Sequence, residues 1–402
     1  MVPPFAERAS LDHYTRFSIP PIEEFRERDI VNFTHGYASP ELLPADELTD
    51  AWNAVMAEHR DVAFQYGPAK GVKALRETLR DYLASDYGID VGLEELSIVT
   101  GSKQGLDMLC KAFVEPGDTV IVTSPTYGTG TKIMKSHEVE FLEVPVGDDG
   151  LEVDVLREEL ERLDAAGEPL PKLAFTVPEF HNPFGSTMPL ERREALLELA
   201  EAYDFLLVED DPYRKLRFDG EEVPPLKSLD DSGQVVYLGT YSKLIAPGLR
   251  VGWMVGDEAV IERTLPMKED GGTSALAQML IRELHQTGYV SERASRYADH
   301  LHGQREATVE AIETHLPEAR LAHLPAGGYY CWVELPGDVN TSELLEYARA
   351  EDVLYLPGEA FSPTGGNRDH LRISWAYENP GRIDEGLSRL ATALERYRDA
   401  ST

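Results

Sequence analysis

The sequence predicts an α/β fold, with a mostly parallel sheet of seven strands in a large domain and a smaller α+β domain after it. Between residues 96 and 256, seven short apolar runs alternate with segments of helical periodicity. Several of these runs are apolar throughout, which is typical of strands buried on both faces. Alternating strands and helices favour parallel pairing. The carboxyl ends of the strands, where ligands bind in such sheets, should therefore meet at one edge.

The apolar runs give the predicted strands in chain order. They are residues 96–101, 119–125, 139–145, 172–178, 205–211, 235–241 and 251–256. Between the fourth and fifth runs, a helix is predicted over 190–203, because its apolar residues share one face and Pro189 suits its first turn.

The two ends of the chain follow different patterns. The beginning is irregular and interrupted by proline, whereas an α+β pattern starts beyond about residue 285. Its predicted elements are a long helix over 289–315, strand segments at 326–336, 353–357 and 370–376, a helix near 341–350 and a final helix from 380. We therefore expect three parts, namely an N-terminal segment (1–50) that packs with the small domain, a large domain (51–288) and a small C-terminal domain (289–402).

Composition and charge exclude some classes of partner. With 402 residues and 42% hydrophobic content, the chain is long and apolar enough to bury a large core. Its 38 basic and 72 acidic residues give a net charge of −34, which argues against a nucleic-acid partner. The acids are dispersed and only 11 of the basic residues are lysine. This pattern is typical of adaptation to high salt, where self-repulsion is screened, although an acidic docking face is an alternative.

Cysteine usage and hydropathy predict the compartment. Cys110 and Cys331 lie in apolar contexts far apart in sequence, so buried free thiols are expected. No apolar run approaches the roughly 20 residues that span a bilayer, and the N-terminus lacks the apolar region of a signal peptide. We therefore expect a soluble cytoplasmic protein without a membrane partner.

The segment 235–256 places a lysine between apolar runs. Residues 235–238 resemble a strand, the small polar cluster 239–242 follows, and Lys243 precedes more apolar sequence. A partly desolvated lysine has a lowered pKa and a nucleophilic amine. Proteins prepare Schiff-base lysines in this way, although a surface turn that carries Lys243 and Arg250 would also fit this segment alone.

Polar residues after the other runs match the needs of a phosphorylated pyridine aldehyde. A phosphate is bound by a helix N-terminus, hydroxyl groups and a cation. The candidates are Ser102 and Lys103, which open the apolar helix GLDMLCKAF (105–113), with Thr240, Ser242 and Arg250. A carboxylate is needed at the ring nitrogen, where it keeps the ring an electron sink. The candidates for the ring are Asp210 at its nitrogen, Asn182 and Tyr213 at its hydroxyl, Tyr127 on its face and Lys243 at the aldehyde carbon.

Each match has a structural alternative when it is taken alone. A Gly-Ser pair before a helix is a common N-cap, and Asp210 lies between two other acids that could form a Mg²⁺ site. The HNPFG segment, 181–185, could be a proline turn, and Tyr127 could be an ordinary core residue. The order and spacing of all these residues together favour the cofactor site, and no metal site is predicted.

These motifs resemble one known family over nearly the whole chain, from about residue 30 to 398. It is similar to the fold-type-I, pyridoxal-phosphate-dependent aminotransferases of class I/II, and most similar to the 2-aminoadipate and kynurenine subgroup. The matching motifs are GSKQGLD (101–107), SPTYG (124–128), HNPFG (181–185), EDDPY (209–213), SKLIAPGLRVG (242–252) and LRISWA (371–376). Together they form a highly specific set.

The resemblance implies a role for each matching residue. Lys243 would form the Schiff base with pyridoxal 5'-phosphate and shuttle the proton, while Lys103 would bind the phosphate through its backbone N–H. Arg372 would bind the substrate α-carboxylate, where the bidentate geometry of arginine is favoured. Gly36 and Asn182 would line the substrate site. Tyr66 would reach the cofactor phosphate of the partner subunit, so the family implies a homodimer with shared active sites.

The chain departs from the family pattern at two places. Phe184 occupies the position where many relatives have threonine, which could change the pocket wall. Lys103 stands where relatives often have glutamine, and its side chain would either add positive charge near the phosphate or point to solvent, the second being the expectation.

The resemblance implies ping-pong transfer of an amino group from an L-amino acid to a 2-oxo acid, with 2-oxoglutarate as the expected acceptor. The alternatives are a pyridoxal-phosphate-dependent β-eliminase or decarboxylase on the same fold, a ligand-sensing effector domain, or a Mg²⁺ enzyme. The sequence leaves the substrate open. Aromatic residues that could line a pocket for large side chains are Tyr14, Phe17, Tyr37 and Phe361.

Overall fold

The computed structural model describes residues 21–34 and 36–401, and its strands confirm all seven predicted runs. The strands in chain order are β1 Val31–Asn32, β2 Leu96–Val99, β3 Thr119–Ser124, β4 Glu140–Gly147, β5 Gly150–Leu151, β6 Leu173–Thr176, β7 Leu206–Asp210, β8 Val235–Thr240, β9 Gly252–Val255, β10 Arg320–Leu321, β11 Tyr330–Glu334, β12 Val353–Leu354, β13 Leu356–Pro357 and β14 His370–Ser374.

Helices connect most of these strands. In chain order they are α1 Ile22–Glu27, α2 Ala45–Glu58, α3 Arg60–Ala63, α4 Lys73–Tyr87, α5 Ser102–Phe113, α6 Gly128–Lys135, α7 Val153–Ala166, α8 Leu190–Tyr203, α9 Leu226–Leu229, α10 Glu258–Thr264, α11 Ala275–Gln286, α12 Tyr289–His315, α13 Thr341–Ala350 and α14 Pro380–Ser401. The bounds predicted for α8, α12 and α13 are confirmed.

The large sheet has eight strands in the order β2-β9-β8-β7-β6-β3-β4-β5. Its five central strands, β8, β7, β6, β3 and β4, pair in parallel. Strand β9 runs antiparallel to both of its neighbours. The eighth strand, β5, was not predicted, because it is a two-residue return of the chain after β4. Residues of β2, β6, β7, β8 and β9 are buried throughout, as the apolar runs predicted.

The parallel strands bring polar residues to one edge of the sheet. Strand β7 ends at Asp210 and β8 ends at Thr240, and the register pairs Asp210 with Leu238. The chain leaves β2 through Gly101, and α5 begins at Ser102. Because β2 has the same direction as the central strands, the start of α5 lies at this edge as well.

The C-terminal part forms an antiparallel sheet in the order β10-β11-β14-β13, and α14 packs against both α12 and α13. The N-terminal part is more regular than expected, since it contains α1, β1 and the beginning of α2. Strand β1 pairs in parallel with β12, through Val31 and Val353, and so joins the N-terminal part to the C-terminal part. Helix α2 runs across the boundary expected at residue 50, and the division into three parts stays a prediction.

The interior consists of three hydrophobic clusters, which lie on both faces of the large sheet and between the sheet and the C-terminal helices. Cys110 and Cys331 are buried and free, as expected. In the described part of the chain, no helix combines the length and hydrophobicity needed to cross a membrane.

Candidate active site

One cavity of about 650 Å³ lies at the carboxyl edge of the large sheet, between it and the antiparallel sheet. It is lined by twelve of the thirteen residues predicted for the site: Gly36, Ser102, Lys103, Tyr127, Asn182, Asp210, Tyr213, Thr240, Ser242, Lys243, Arg250 and Arg372. The exception is Tyr66, whose side chain is 93% exposed outside the cavity. The fold therefore brings together residues that are up to 336 positions apart in the sequence.

Lys243 lies in the turn that follows β8, and its amine points into the cavity. Nζ donates a hydrogen bond of 2.8 Å to the carbonyl of Gly36, and it lies 5.3 Å from the centre of the Tyr329 ring. The Tyr329 hydroxyl donates to the backbone carbonyl of Lys243 at 2.9 Å, which holds the turn. Burial lowers the pKa of the Lys243 amine below its ordinary value. A neutral amine in this place can act as a nucleophile and as a base.

Arg250 lies beside two hydroxyl groups and the start of α5. Its guanidinium donates to Ser242 Oγ at 3.3 Å and to the carbonyl of Thr100 at 3.1 Å. Thr240 Oγ1 donates to Ser242 Oγ at 2.9 Å. Gly101 has φ of +80°, and a Cβ there would lie only 2.5 Å from Arg250 Nη2. Free backbone N–H groups, hydroxyls and a guanidinium therefore form a cradle for a phosphate.

The three consecutive acids of the EDDPY motif have separate partners. Glu209 accepts backbone hydrogen bonds from Leu226 and Lys227 at the start of α9. Asp211 forms an ion pair of 2.7 Å with Arg214. Asp210 alone lines the cavity. Among the described residues there is no cluster that could hold a metal ion, so the geometry does not favour the Mg²⁺ alternative.

Asp210 is buried and has an oxygen without a partner. Its Oδ1 atom forms no hydrogen bond with any described residue. Burial raises the pKa of Asp210 to about 7, although a hydrogen bond from Ser102 opposes this shift. A buried carboxylate oxygen without a partner is unfavourable, and a protonated ring nitrogen would satisfy it.

Asn182, Tyr213 and Arg372 form a connected group on the opposite wall. Asn182 donates to the Tyr213 hydroxyl at 3.4 Å, and Arg372 Nη1 donates to the Asn182 side-chain oxygen at 2.9 Å. Arg372 also donates to the backbone carbonyl of Thr34 and is only 4% exposed. No carboxylate among the described residues pairs with Arg372, so its charge is available for an anionic substrate.

Two positions were singled out as departures from the family pattern. Lys103 is exposed, in agreement with the expectation that its side chain points to solvent, and it also lines the cavity, where partial desolvation and the nearby charges of Lys243 and Arg250 lower its pKa. Phe184 does not form part of the wall and stacks instead on His323, with the ring centres 6.1 Å apart.

Some lining residues were missed by the sequence analysis. Tyr330 contacts the Arg372 guanidinium through its ring at 3.9 Å, and Thr34 contacts Arg372 through its carbonyl. Tyr37 and Phe361, which were possible pocket residues, also line the cavity. Tyr14 and Phe17 lie outside the described residues. The AGGYYCW segment was interpreted only as a strand, because nothing in its pattern shows which of its two tyrosines faces the cavity.

The arrangement fits pyridoxal 5'-phosphate. The phosphate of the cofactor would lie on the cradle formed by α5, Thr240, Ser242 and Arg250. The nitrogen of the cofactor ring would face Asp210 Oδ1. The Gly101 contact with Arg250 and the unpartnered Asp210 oxygen are the two observations that support this fit.

Comparison with known proteins agrees with the geometry. The family described as aminotransferase class I and II matches residues 30–390. Aromatic-amino-acid aminotransferase 1 of Thermococcus litoralis is 35% identical over 91% of this chain and 88% of its own length. A 2-aminoadipate transaminase of Thermus thermophilus is 34% identical, over 91% of this chain and 90% of its own. The crystal structure of a kynurenine aminotransferase of Pyrococcus horikoshii, in complex with PMP, has a TM-score of 0.89 at 35% identity and covers 98% of this chain and 97% of that one.

Proposed function

The chain belongs to the class I and II aminotransferases, and we propose that it works by a ping-pong mechanism in which Lys243 is both the cofactor lysine and the proton shuttle. It is a pyridoxal-phosphate-dependent enzyme that moves an amino group between an amino acid and a 2-oxo acid. Within this activity we propose L-amino acids as donors and 2-oxoglutarate as acceptor. The relatives named for aromatic amino acids and 2-aminoadipate support a broad range of donors.

The chemistry is divided between the cofactor and the residues of this chain. When bound, pyridoxal 5'-phosphate supplies an electron sink for the charge that develops at the substrate Cα. Lys243 Nζ takes the proton from Cα, and its lowered pKa favours the neutral amine that this step needs. Asp210, as a carboxylate, holds a proton on the ring nitrogen. The buried walls exclude water from these charges, which strengthens their interaction.

Substrate orientation depends on Arg372. Its guanidinium presents a planar, bidentate surface to the α-carboxylate, and Asn182 and Thr34 fix it through hydrogen bonds. Because Lys243 lines the same cavity, the Cα of a substrate that Arg372 holds by its carboxylate would be open to the amine. The observation that carries the proposal is that the buried Lys243 amine and the unpartnered Asp210 oxygen line the same cavity as Arg372.

A panel of L-amino acids, each tested with 2-oxoglutarate and with pyruvate at high salt, tests the reaction. We expect paired formation of a new amino acid and a new 2-oxo acid, and parallel double-reciprocal plots. Release of ammonia and pyruvate from a single substrate would favour the β-eliminase alternative instead.

Substitution of the lysine tests its role. Lys243→Ala should abolish turnover by removing the nucleophile and base, and borohydride should no longer fix the cofactor to the chain. The control is Lys172→Ala, which removes an exposed lysine before β6 and should keep full activity. Near-wild-type turnover by Lys243→Ala would disprove the assignment.

We further propose a homodimer whose interface includes Tyr66. Among the described residues, five of the eight exposed large hydrophobic side chains lie between positions 43 and 66: Leu43, Trp52, Val62, Phe64 and Tyr66. Two of them, Trp52 and Phe64, are in edge contact with ring centres 6.4 Å apart, and an exposed apolar patch is typical of an interaction surface. A second copy that covers the patch would bury Tyr66 and could bring it to the partner's phosphate site, as the family pattern implies.

The charge balance and the thiols support two proposals about the environment. The net charge of −34 with only 11 lysines supports adaptation to high salt. The free state of Cys110 and Cys331 supports a reducing compartment such as the cytoplasm.

A further inference from the structure

Tyr330 lies between Arg372 and Lys243, and the proposed reaction assigns it no role. It is the first residue of β11 and is only 5% exposed. The Arg372 guanidinium lies 3.9 Å from the centre of its ring, and the Tyr213 ring meets it edge-on at 5.8 Å. These contacts fix the ring, so its hydroxyl can reach only one region of the cavity.

That region is the one occupied by the Lys243 amine. A Cβ on Gly36 would lie 2.2 Å from the Tyr330 hydroxyl oxygen and 2.5 Å from Lys243 Nζ. Both atoms therefore crowd the same point beside Gly36, whose carbonyl accepts a hydrogen bond from Nζ. A glycine leaves room there for the hydroxyl and the amine to lie next to each other.

The charges around Tyr330 favour ionisation of its phenol. The groups that face it are the cations Lys103, Lys243 and Arg372, and the phenols Tyr127, Tyr213, Tyr297 and Tyr329. Burial alone would raise the pKa of Tyr330, but the charges of Lys243 and Arg372 and a hydrogen bond with Tyr213 outweigh it and lower the pKa. Tyr213 is shifted in the opposite direction, because burial and the neighbouring Tyr330 raise its pKa well above the ordinary value. In this group, Tyr330 is thus the phenol suited to exchange a proton.

We propose that the Tyr330 hydroxyl exchanges a proton with Lys243 Nζ and so sets the protonation state in which Lys243 acts. The proposal rests on the role of Lys243 as the cofactor lysine. When Lys243 is released as an ammonium, one N–H bond breaks and an O–H bond forms on the Tyr330 phenolate. The products are a neutral amine and a neutral phenol, and no electrons are transferred. The neutral amine can then accept the proton from Cα, and after Nζ has passed that proton on, the O–H bond of Tyr330 breaks and its proton returns to Nζ, which restores the starting state.

The holoenzyme with Tyr330→Phe tests the proposal, because this change removes only the hydroxyl. The pH dependence of the visible absorbance of the bound cofactor reports protonation of the nitrogen that links it to Lys243. Because the variant lacks the Tyr330 phenolate, a negative neighbour, the pKa of this nitrogen should fall by about one unit. We expect kcat to fall about tenfold or more, with a shifted pH profile, whereas KM changes by less than about twofold.

The control is Tyr355→Phe, which removes a buried hydroxyl outside the cavity that donates to the backbone carbonyl of Thr341. It should leave the absorbance titration and the pH profile of kcat unchanged. An unchanged titration in Tyr330→Phe would overturn the proposal. Borohydride fixation at Lys243 in the same variant separates this outcome from failure of the Lys243 assignment.

A measurement on the wild-type holoenzyme needs no variant. Ultraviolet titration of tyrosinate should show one phenol that ionises below the ordinary range of tyrosine, and the signal should disappear in Tyr330→Phe. If every tyrosine of the wild type titrates at or above the ordinary value, the proposal is wrong.

Discussion

At the scale of single residues, Asp210 and Glu209 are adjacent and buried but differ in what they contact. Glu209 accepts two backbone hydrogen bonds at the start of α9, while Asp210 leaves Oδ1 unpartnered in the cavity. Burial raises the pKa of both carboxyls to about 7. The same chemical group thus serves structure at one position and chemistry at the next.

Asp210→Asn should separate these roles. The variant keeps the shape but cannot hold a proton on the ring nitrogen as an anion, so kcat should fall about a hundredfold or more. Stability without cofactor should not decrease, because a buried charge is removed. Steady-state kinetics and thermal unfolding measure both effects.

Glu209→Gln is the matched control for this prediction. It should lower the free energy of unfolding by about 1–2 kcal/mol, because the capping hydrogen bonds weaken, and should leave kcat within about threefold of the wild type. Equal losses of activity in both variants would contradict the division of roles.

Some residues of the cavity could be predicted from the sequence and others could not. Lys243, Asp210 and Arg372 could be predicted, because charged residues after apolar strands are unusual and their spacing matches a family. Tyr330 could not, because a tyrosine at the start of a strand is ordinary and its position beside Gly36 depends on residues about 300 positions away in the chain.

At the scale of elements, the start of α5 depends on a glycine. Gly101 adopts φ of +80°, which L-residues rarely adopt, and its missing side chain lets Arg250 reach the carbonyl of Thr100. The cradle is therefore built by a backbone conformation and a long side chain together.

Gly101→Ala should weaken cofactor binding. The new Cβ would lie 2.5 Å from Arg250 Nη2 and displace the guanidinium. We expect the dissociation constant of pyridoxal 5'-phosphate to rise roughly tenfold, as measured by fluorescence titration. Gly117→Ala is the control, since Gly117 also has positive φ but has open space around it. Both variants should lose about 1 kcal/mol of stability from backbone strain, but only Gly101→Ala should lose affinity. Equal affinities in the two variants would contradict the role of Gly101.

At the scale of the whole molecule, the exposed Tyr66 leads to a test of shared active sites. Lys243→Ala and Tyr66→Ala subunits should each form poorly active homodimers. A hybrid of the two has one site with both residues intact, so it should recover about half of the wild-type activity per dimer. The hybrids can be isolated with two affinity tags and assayed at limiting cofactor. No recovery in the hybrid would contradict a shared site that includes Tyr66.

The net charge predicts how the molecule responds to salt. Screening lengths fall from about 10 Å at 0.1 M to about 3 Å at 1 M salt, so repulsion among the dispersed carboxylates should weaken. The melting temperature should rise between about 0.1 M and 2 M KCl. A melting temperature that is constant or falls over this range would contradict adaptation to high salt.

The sequence by itself determined the α/β class, the seven strands, the long C-terminal helices and most of the cavity residues. These features depend on local patterns, namely apolar runs, helical periodicity and charged residues placed at strand ends. The tertiary structure decided the return strand β5, the pairing of β1 with β12, the partners of the three acids, and the meeting of Tyr330, Gly36 and Lys243. Each of these depends on contacts between segments that are distant in the chain, for which no local pattern gives the geometry.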